Sequence, residues 1–116
     1  FISGHSAGGH LAATALLVDW KQNYNIDAHV FGGFFLVSGV FDLIPIVSTY
    51  VNEPIGMTEA TAKFQSPLHR PQQDYWTALK HLPILCVHGQ YDPATFREQN
   101  EKYGNYLKEM GFTGVT

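Results

Sequence analysis

A strand that must become a helix within one residue is the tightest constraint in this chain. The apolar pair Phe1-Ile2 runs into Gly4-His5-Ser6-Ala7-Gly8, and the alanine-rich stretch "AGGHLAATALLVDW" follows at once. A serine on so sharp a turn adopts strained backbone angles, and bulky side chains two positions either side would collide. Gly4 and Gly8 are read as relieving that crowding. The turn lifts the Ser6 hydroxyl above the carboxyl edge of a sheet, with a helix N-terminus behind it. Ser6 is therefore a candidate nucleophile, and the backbone N–H of Ala7 a candidate oxyanion donor. Chance supplies the bare Gly-x-Ser-x-Gly pattern in roughly one chain of this length in twenty. The strand before it and the small-residue helix after it make it specific.

The rest of the chain alternates in the same sense. Phe1-Ile2-Ser3 reads as a strand tail, and Ala7 to Trp20 as a helix with Leu11, Ala12, Ala15 and Leu16 at helical spacing, apolar on most faces. "HVFGGFFLVSGVFD" is a continuous apolar run, as in a parallel strand buried on both faces. After an irregular stretch broken by Pro45 and Pro54, "TEATAKFQ" offers a short helix with Thr58 as N-cap, ended by "SPLHRP". "LPILCVHGQYD" is the next buried strand. "ATFREQNEKYGNYLKEMG" is an amphipathic helix with Phe96, Tyr103 and Leu107 on its buried face and Gly111 as C-cap. A further strand begins at Gly114-Val115-Thr116. This is the βα alternation of an α/β fold with a mostly parallel sheet and flanking helices, and strand order does not follow from periodicity. The 116 residues suit one domain and are too few for two. Because the chain starts inside a strand and stops where another would begin, residues 1–116 are read as a partial domain truncated at both ends. On its own it is expected to be marginally stable, with sheet edges and apolar helix faces exposed.

Composition excludes several partners. Hydrophobic residues make up 45% and charged residues 15%, well below the usual charged share of about 25%. The formal net charge of −3 leaves no basic footprint for nucleic acid. No apolar run approaches the ~20 residues of a membrane span. The single Cys86, inside "PILCVHG", reads as a reduced structural thiol, which fits a reducing, cytoplasmic compartment. The histidines lack zinc-site spacing, so neither metal nor other cofactor is expected, and the partner is a small-molecule substrate. Oligomeric state is not encoded in any pattern.

A serine nucleophile needs a base and a carboxylate that orients it. Such carboxylates lie at the carboxyl ends of later strands, and two aspartates qualify. Asp92 closes the glycine-containing turn after "PILCVHG" and is preferred. Asp42 closes "FFLVSGVFD" and reads better as a turn cap or part of a pocket wall. The six histidines are His5, His10, His29, His69, His81 and His88. None falls where the base belongs, in a loop after the strand that starts at Gly114, so no catalytic histidine is assigned. The second oxyanion donor, expected from a loop near an early strand, is not assigned either. Phe41, Tyr50 and Tyr91 are candidates for an aromatic pocket wall or for plain packing.

"ISGHSAGGHLAA", "FLVSGVFDLIPI", Ser66-Pro67 and "VHGQYD" resemble the arylformamidases, or kynurenine formamidases, of animal cells. These are α/β-hydrolases related to the hormone-sensitive-lipase-type esterases. The resemblance runs from Ile2 to about Lys108; "GHSAGGHLA" is shared with many esterases, and "LVSGVFDLIPI" is the discriminating segment. It implies the α/β-hydrolase fold and hydrolysis of N-formyl-L-kynurenine to kynurenine and formate in tryptophan breakdown. It also implies Ser6 as nucleophile and Asp92 as triad acid. The family's histidine and its upstream "HGG"-type loop have no counterpart here, so the isolated chain is expected to be inactive. Two other readings stay open: a carboxylesterase or lipase-like hydrolase of short acyl esters, and a scaffold that keeps the fold without the chemistry.

Overall fold

The computed structural model describes residues 1–116. Three short strands, β1 (Ile2–His5), β2 (Phe34–Val37) and β3 (Ile84–Val87), form a parallel sheet in the order β1-β2-β3. His5 lies opposite Val37 and Val37 opposite Val87, so the carboxyl ends of all three strands are flush. The expected α/β alternation with a parallel sheet stands, and the strand order left open by periodicity is sequential. Gly114 to Thr116 runs beside β3. Ile84 N–H donates to Gly114 O at 2.9 Å, and Thr116 N–H donates to Ile84 O at 2.9 Å.

Four helices accompany the sheet: α1 (Ala7–Thr14), α2 (Trp20–Tyr24), α3 (Glu59–Phe64) and α4 (Ala94–Glu109). One core joins Ala12 and Ala13 of α1, Phe34 and Leu36 of β2, Ile84 of β3, and Tyr103 and Leu107 of α4. Trp76 closes it, edge-on to Phe112 with ring centroids 5.4 Å apart. In α4, Tyr103 and Leu107 are buried and Phe96 is half-buried, as its periodicity predicts. Gly111, at φ 95°, ends α4: its N–H reaches Lys108 O, and that of Phe112 reaches Leu107 O, each at 3.0 Å. This paired closure satisfies two of the helix's last carbonyls. Thr58 caps α3, accepting from Thr61 N–H while the Thr61 hydroxyl accepts from Thr58 N–H.

The expected helix from Ala7 to Trp20 is shorter and divided. After Thr14 it tightens into a 3₁₀ turn, Ala15–Leu17, and restarts at Trp20 with Asp19 as N-cap, accepting from Gln22 N–H at 3.0 Å. The carbonyls released by the break are taken by side chains. Ala15 O accepts from the Trp20 indole, Leu16 O from the Trp76 indole, and Leu17 O from the Tyr75 hydroxyl. Those donors come from up to 60 residues away, beyond the reach of a local pattern.

Two further differences concern exposure. The β2 run was expected to be covered on both faces, yet Phe34 and Leu36 are buried while Phe35 between them is 42% exposed. Successive strand residues point to opposite faces, and the helices of these residues cover only one. On α1, expected to be covered on most sides, Leu11 is 71% exposed. No helix is long and apolar enough to cross a membrane. Cys86 is half-buried in the sheet, and burial pushes its thiol up to about 11, which keeps it protonated and unreactive.

Glycines set the spacing of α1 against the sheet. A Cβ at Gly4 would lie 2.0 Å from Gly8 O, and one at Gly9 would lie 2.8 Å from Gly39 Cα. Gly8, expected to relieve crowding in the same way as Gly4, has no atom within 4 Å of its own Cβ position. What Gly4 avoids is the backbone of Gly8, so the steric demand falls on Gly4 and Gly9. Gly4→Ala should therefore lower stability by about 2 kcal/mol or more, because overpacked backbone cannot relax cheaply. Gly8→Ala should leave it unchanged or raise it by about 0.5–1 kcal/mol through helix propensity. Urea unfolding midpoints of the two variants check the contrast.

Candidate active site

Ser6 sits between β1 and α1 with φ 56° and ψ −116°. A non-glycine residue at positive φ is costly and persists only where its surroundings over-determine it. Here the Ser6 N–H is held by Val37 O at 3.0 Å, and its carbonyl accepts from His10 N–H at 3.2 Å. The turn is thus pinned from β2 on one side and from the first turn of α1 on the other. Ser6 does not cap α1 with its own side chain. Ala7 opens α1, and first-turn N–H groups have no acceptor within their own helix. An anion beside Ser6 would meet such donors.

Asp92 stands at the same end of the sheet. Its Oδ2 accepts from Gly89 N–H at 2.8 Å and from the Ser38 hydroxyl, while Asp92 N–H donates to Gly89 O at 3.1 Å. The Ser38 hydrogen bond, then that of Gly89, holds this carboxyl below the usual carboxylate range; His5 and His88 add smaller attraction, and burial opposes them. A carboxylate with a lowered folded value adds stability above its ordinary pKa and loses it as pH falls through that lowered value. Neighbouring strands are about 4.8 Å apart, so the turns carrying Ser6 and Asp92, two strands apart, lie roughly 10 Å from each other. Ser38, between them at the end of β2, was not singled out by sequence reasoning. Its one signal is the Ser-Gly pair that ends an apolar run.

An apolar cavity of about 330 Å³ opens beside Ser6. Ser6, Ala7 and His10 form one side, and Val40, Leu43, Ile46, Met57 and Phe96 the other. The segment between β2 and α3 supplies most of that wall, although it contains only short 3₁₀ turns. Polar staples give it shape. Buried Asn52 donates to Val47 O at 3.0 Å and Met57 O at 2.9 Å, and accepts from Met57 N–H at 2.8 Å. The Gln99 side chain accepts from Phe41 and Asp42 N–H and donates to Asp42 O. Buried Ser66 accepts from Leu43 N–H at 2.7 Å and donates to Ala62 O at 2.7 Å.

The other sequence candidates separate clearly. Asp42 accepts from Ile44 N–H at 3.1 Å and pairs with His69 Nε2 at 3.1 Å, so it shapes its own turn. Phe41 does not line the pocket. It is fully buried and stacks on Tyr103 with ring centroids 4.2 Å apart. Tyr50 is exposed on an adjoining groove shared with Val40, Ile46 and Phe96, and Tyr91 is 92% exposed. Among the histidines, His10 Nε2 is engaged by Gln65 O at 2.8 Å and His88 Nδ1 lies 3.3 Å from Gly89 O. No histidine side chain makes a hydrogen bond with Ser6 or Asp92.

Against known proteins, the resemblance to kynurenine formamidases holds along the whole chain. It is 45% identical to "Kynurenine formamidase" of Salmo salar over all 116 residues, covering 38% of that protein. The protein of the same name from Danio rerio is 43% identical over 111 residues, covering 37% of its length, and that from Drosophila melanogaster is 30% identical over 115 residues, also 37%. The chain thus spans less than two fifths of the curated relatives it matches. No protein-family profile matches it. Among solved structures it is similar to a protein of Silicibacter sp. TM1040 assigned as a thioesterase, with TM-score 0.68 and 26% identity, over 93% of this chain and 37% of that one.

Asn52→Ala should cost about 1–3 kcal/mol, since it leaves part-buried backbone groups of Val47 and Met57 without partners. Faster amide exchange at Met57, with α4 amides unchanged, is the expected local signature. Hydrogen-exchange mass spectrometry reads both.

Proposed function

We propose that residues 1–116 are the nucleophile-and-acid segment of a kynurenine formamidase of the α/β-hydrolase fold. The protein would be a serine hydrolase that converts N-formyl-L-kynurenine to L-kynurenine and formate. The observation that carries this reading is identity of 43–45% with vertebrate kynurenine formamidases across essentially the whole chain. The geometry supports it, since a strained serine and a hydrogen-bonded carboxylate share one sheet end beside an apolar cavity. The free thiol of Cys86, protonated and half-buried, fits a cytoplasmic setting.

In this scheme Ser6 Oγ attacks the formamide carbonyl carbon while an imidazole removes the hydroxyl proton. Asp92, through the carboxylate oxygen not engaged by Gly89 and Ser38, orients that ring and stabilises its cation. The carbonyl oxygen becomes an oxyanion facing Ala7 N–H. Collapse of the tetrahedral adduct breaks the C–N bond, and the imidazolium returns its proton to the departing aryl amine. Water, deprotonated by the same ring, then attacks the formyl ester on Ser6, releasing formate and restoring the hydroxyl. The aryl portion would occupy the cavity walled by Val40, Leu43, Ile46 and Phe96, where burial of a ring is favourable. The imidazole is assigned to a part of the protein outside residues 1–116. Without it the isolated chain would turn over little or nothing.

A second reading, hydrolysis of short acyl esters, is favoured by the likeness to the thioesterase-assigned structure. Turnover of N-formylkynurenine and p-nitrophenyl acetate by the full-length protein separates the two. Formamide cleavage should dominate, and ester cleavage with none of the formamide would overturn the proposal. Ser6→Ala should reduce turnover by at least about 10⁴-fold and Asp92→Asn by about 10³–10⁴-fold, with folding preserved. A fluorophosphonate probe should label Ser6; an unlabelled serine in the full-length protein would favour a non-catalytic scaffold.

A further inference from the structure

We infer that Ser38 is a positioning residue for the acid: its hydroxyl fixes Oδ2 of Asp92 so that Oδ1 faces the place of the base. The inference rests on the reading of Ser6 and Asp92 given above and adds a residue that neither the motif nor the resemblance assigns.

Three observations carry it. The first is backbone strain. Ser6, Asn25 and Ser38 are the non-glycine residues at positive φ. Asn25 is the C-cap of α2, where a left-handed residue has a local explanation. Ser38, at φ 46°, ends β2 beside the strained Ser6 and has no helix to cap. Such strain persists where surrounding structure enforces it and concentrates at working sites. The second is the hydrogen bond. Ser38 is 5% exposed, and its hydroxyl donates to Asp92 Oδ2 across 54 residues of chain. Gly89 N–H donates to the same oxygen, whereas Oδ1 takes no hydrogen bond from the chain. The carboxylate is therefore gripped on one oxygen and left open on the other.

The third is the rigidity of the grip. Ser38 N–H donates to Val87 O at 2.7 Å, and the next residue, Gly39, has its carbonyl bonded to buried Asn100 Nδ2 at 3.3 Å. Gly39 also lies so close to α1 that a Cβ on Gly9 would meet its Cα at 2.8 Å. A donor held by a strand end, a helix and a neighbouring strand does not wander. Side chains placed this way govern the orientation of the group they touch more than its presence.

The test uses the full-length protein and the variants Ser38→Gly, Ser38→Cys and Ser6→Ala. Glycine adopts the left-handed conformation without strain, so Ser38→Gly removes the hydroxyl and spares the backbone. Cysteine keeps the size with a weaker donor. The charges acting on Asp92 are the imidazoles of His5 and His88, which all three variants retain. For Ser38→Gly, kcat should fall about tenfold to hundredfold with KM within about twofold, the loss expected for a hydrogen bond to a charged group. The acid limb of kcat/KM should move to higher pH, because a carboxylate freed of one donor stabilises the imidazolium more strongly. Ser38→Cys should fall between Ser38→Gly and the parent in both measures, and it stands in should the glycine variant fail to fold. Unchanged kcat and pH profile in Ser38→Gly, with Ser6→Ala inactive, would overturn the inference while leaving the serine mechanism intact. Full activity in Ser6→Ala would overturn the mechanism itself and the inference with it.

Discussion

The close approach of two backbones governs this molecule. With Gly4, Gly9 and Gly39 at the contact, the first turn of α1 meets the backbone of β1 and of the residues just after β2 without a side chain between them. A helix seated that close leaves the chain one residue, Ser6, in which to turn from strand to helix. The positive φ of Ser6 follows from this contact. A larger residue at Gly4 or Gly9 would push α1 outward, relax the turn and dismantle the anion-receptive corner.

Polar side chains do for the rest of the site what glycine does for the elbow. The wall opposite Ser6 comes from a segment with little regular structure, in which backbone groups would otherwise lack partners. Asn52, Gln99 and Ser66 satisfy those groups and thereby give the cavity a shape. The division of labour is physical. Apolar residues such as Val40, Ile46 and Phe96 make the surface a ring can lie against, and buried hydrogen bonds, directional and costly to break, keep that surface in place. Asp92 obeys the same rule, gripped on one oxygen by Ser38 and Gly89.

The elbow was readable because its cause is local. Gly4 and Ser6 are two residues apart, and the strand and helix that flank them announce themselves by composition. The Gly111 closure of α4 and the Thr58 cap of α3 were readable for the same reason, since each motif lies within a few residues. The break after Thr14 was not. It is stabilised by Tyr75 and Trp76, far along the chain, and no periodicity contains them. Phe41 was open to two readings, pocket wall or packing, for a related reason. Its place at a strand end allowed either, and Tyr103 from α4, offering a ring to stack on, settled it as packing in the core.

By itself the sequence determined the α/β class, the parallel sheet and the strand-to-helix turn at Ser6. Each of these depends on patterns within one element or on the order of elements, which a linear reading contains. Tertiary structure alone decided which face of β2 is covered, that Gly9 rather than Gly8 is the close-packed glycine, and that Ser38 touches Asp92. Those outcomes depend on which surfaces meet. Contacts between residues dozens of positions apart are chosen by the packing of the whole and leave no periodic trace in the chain.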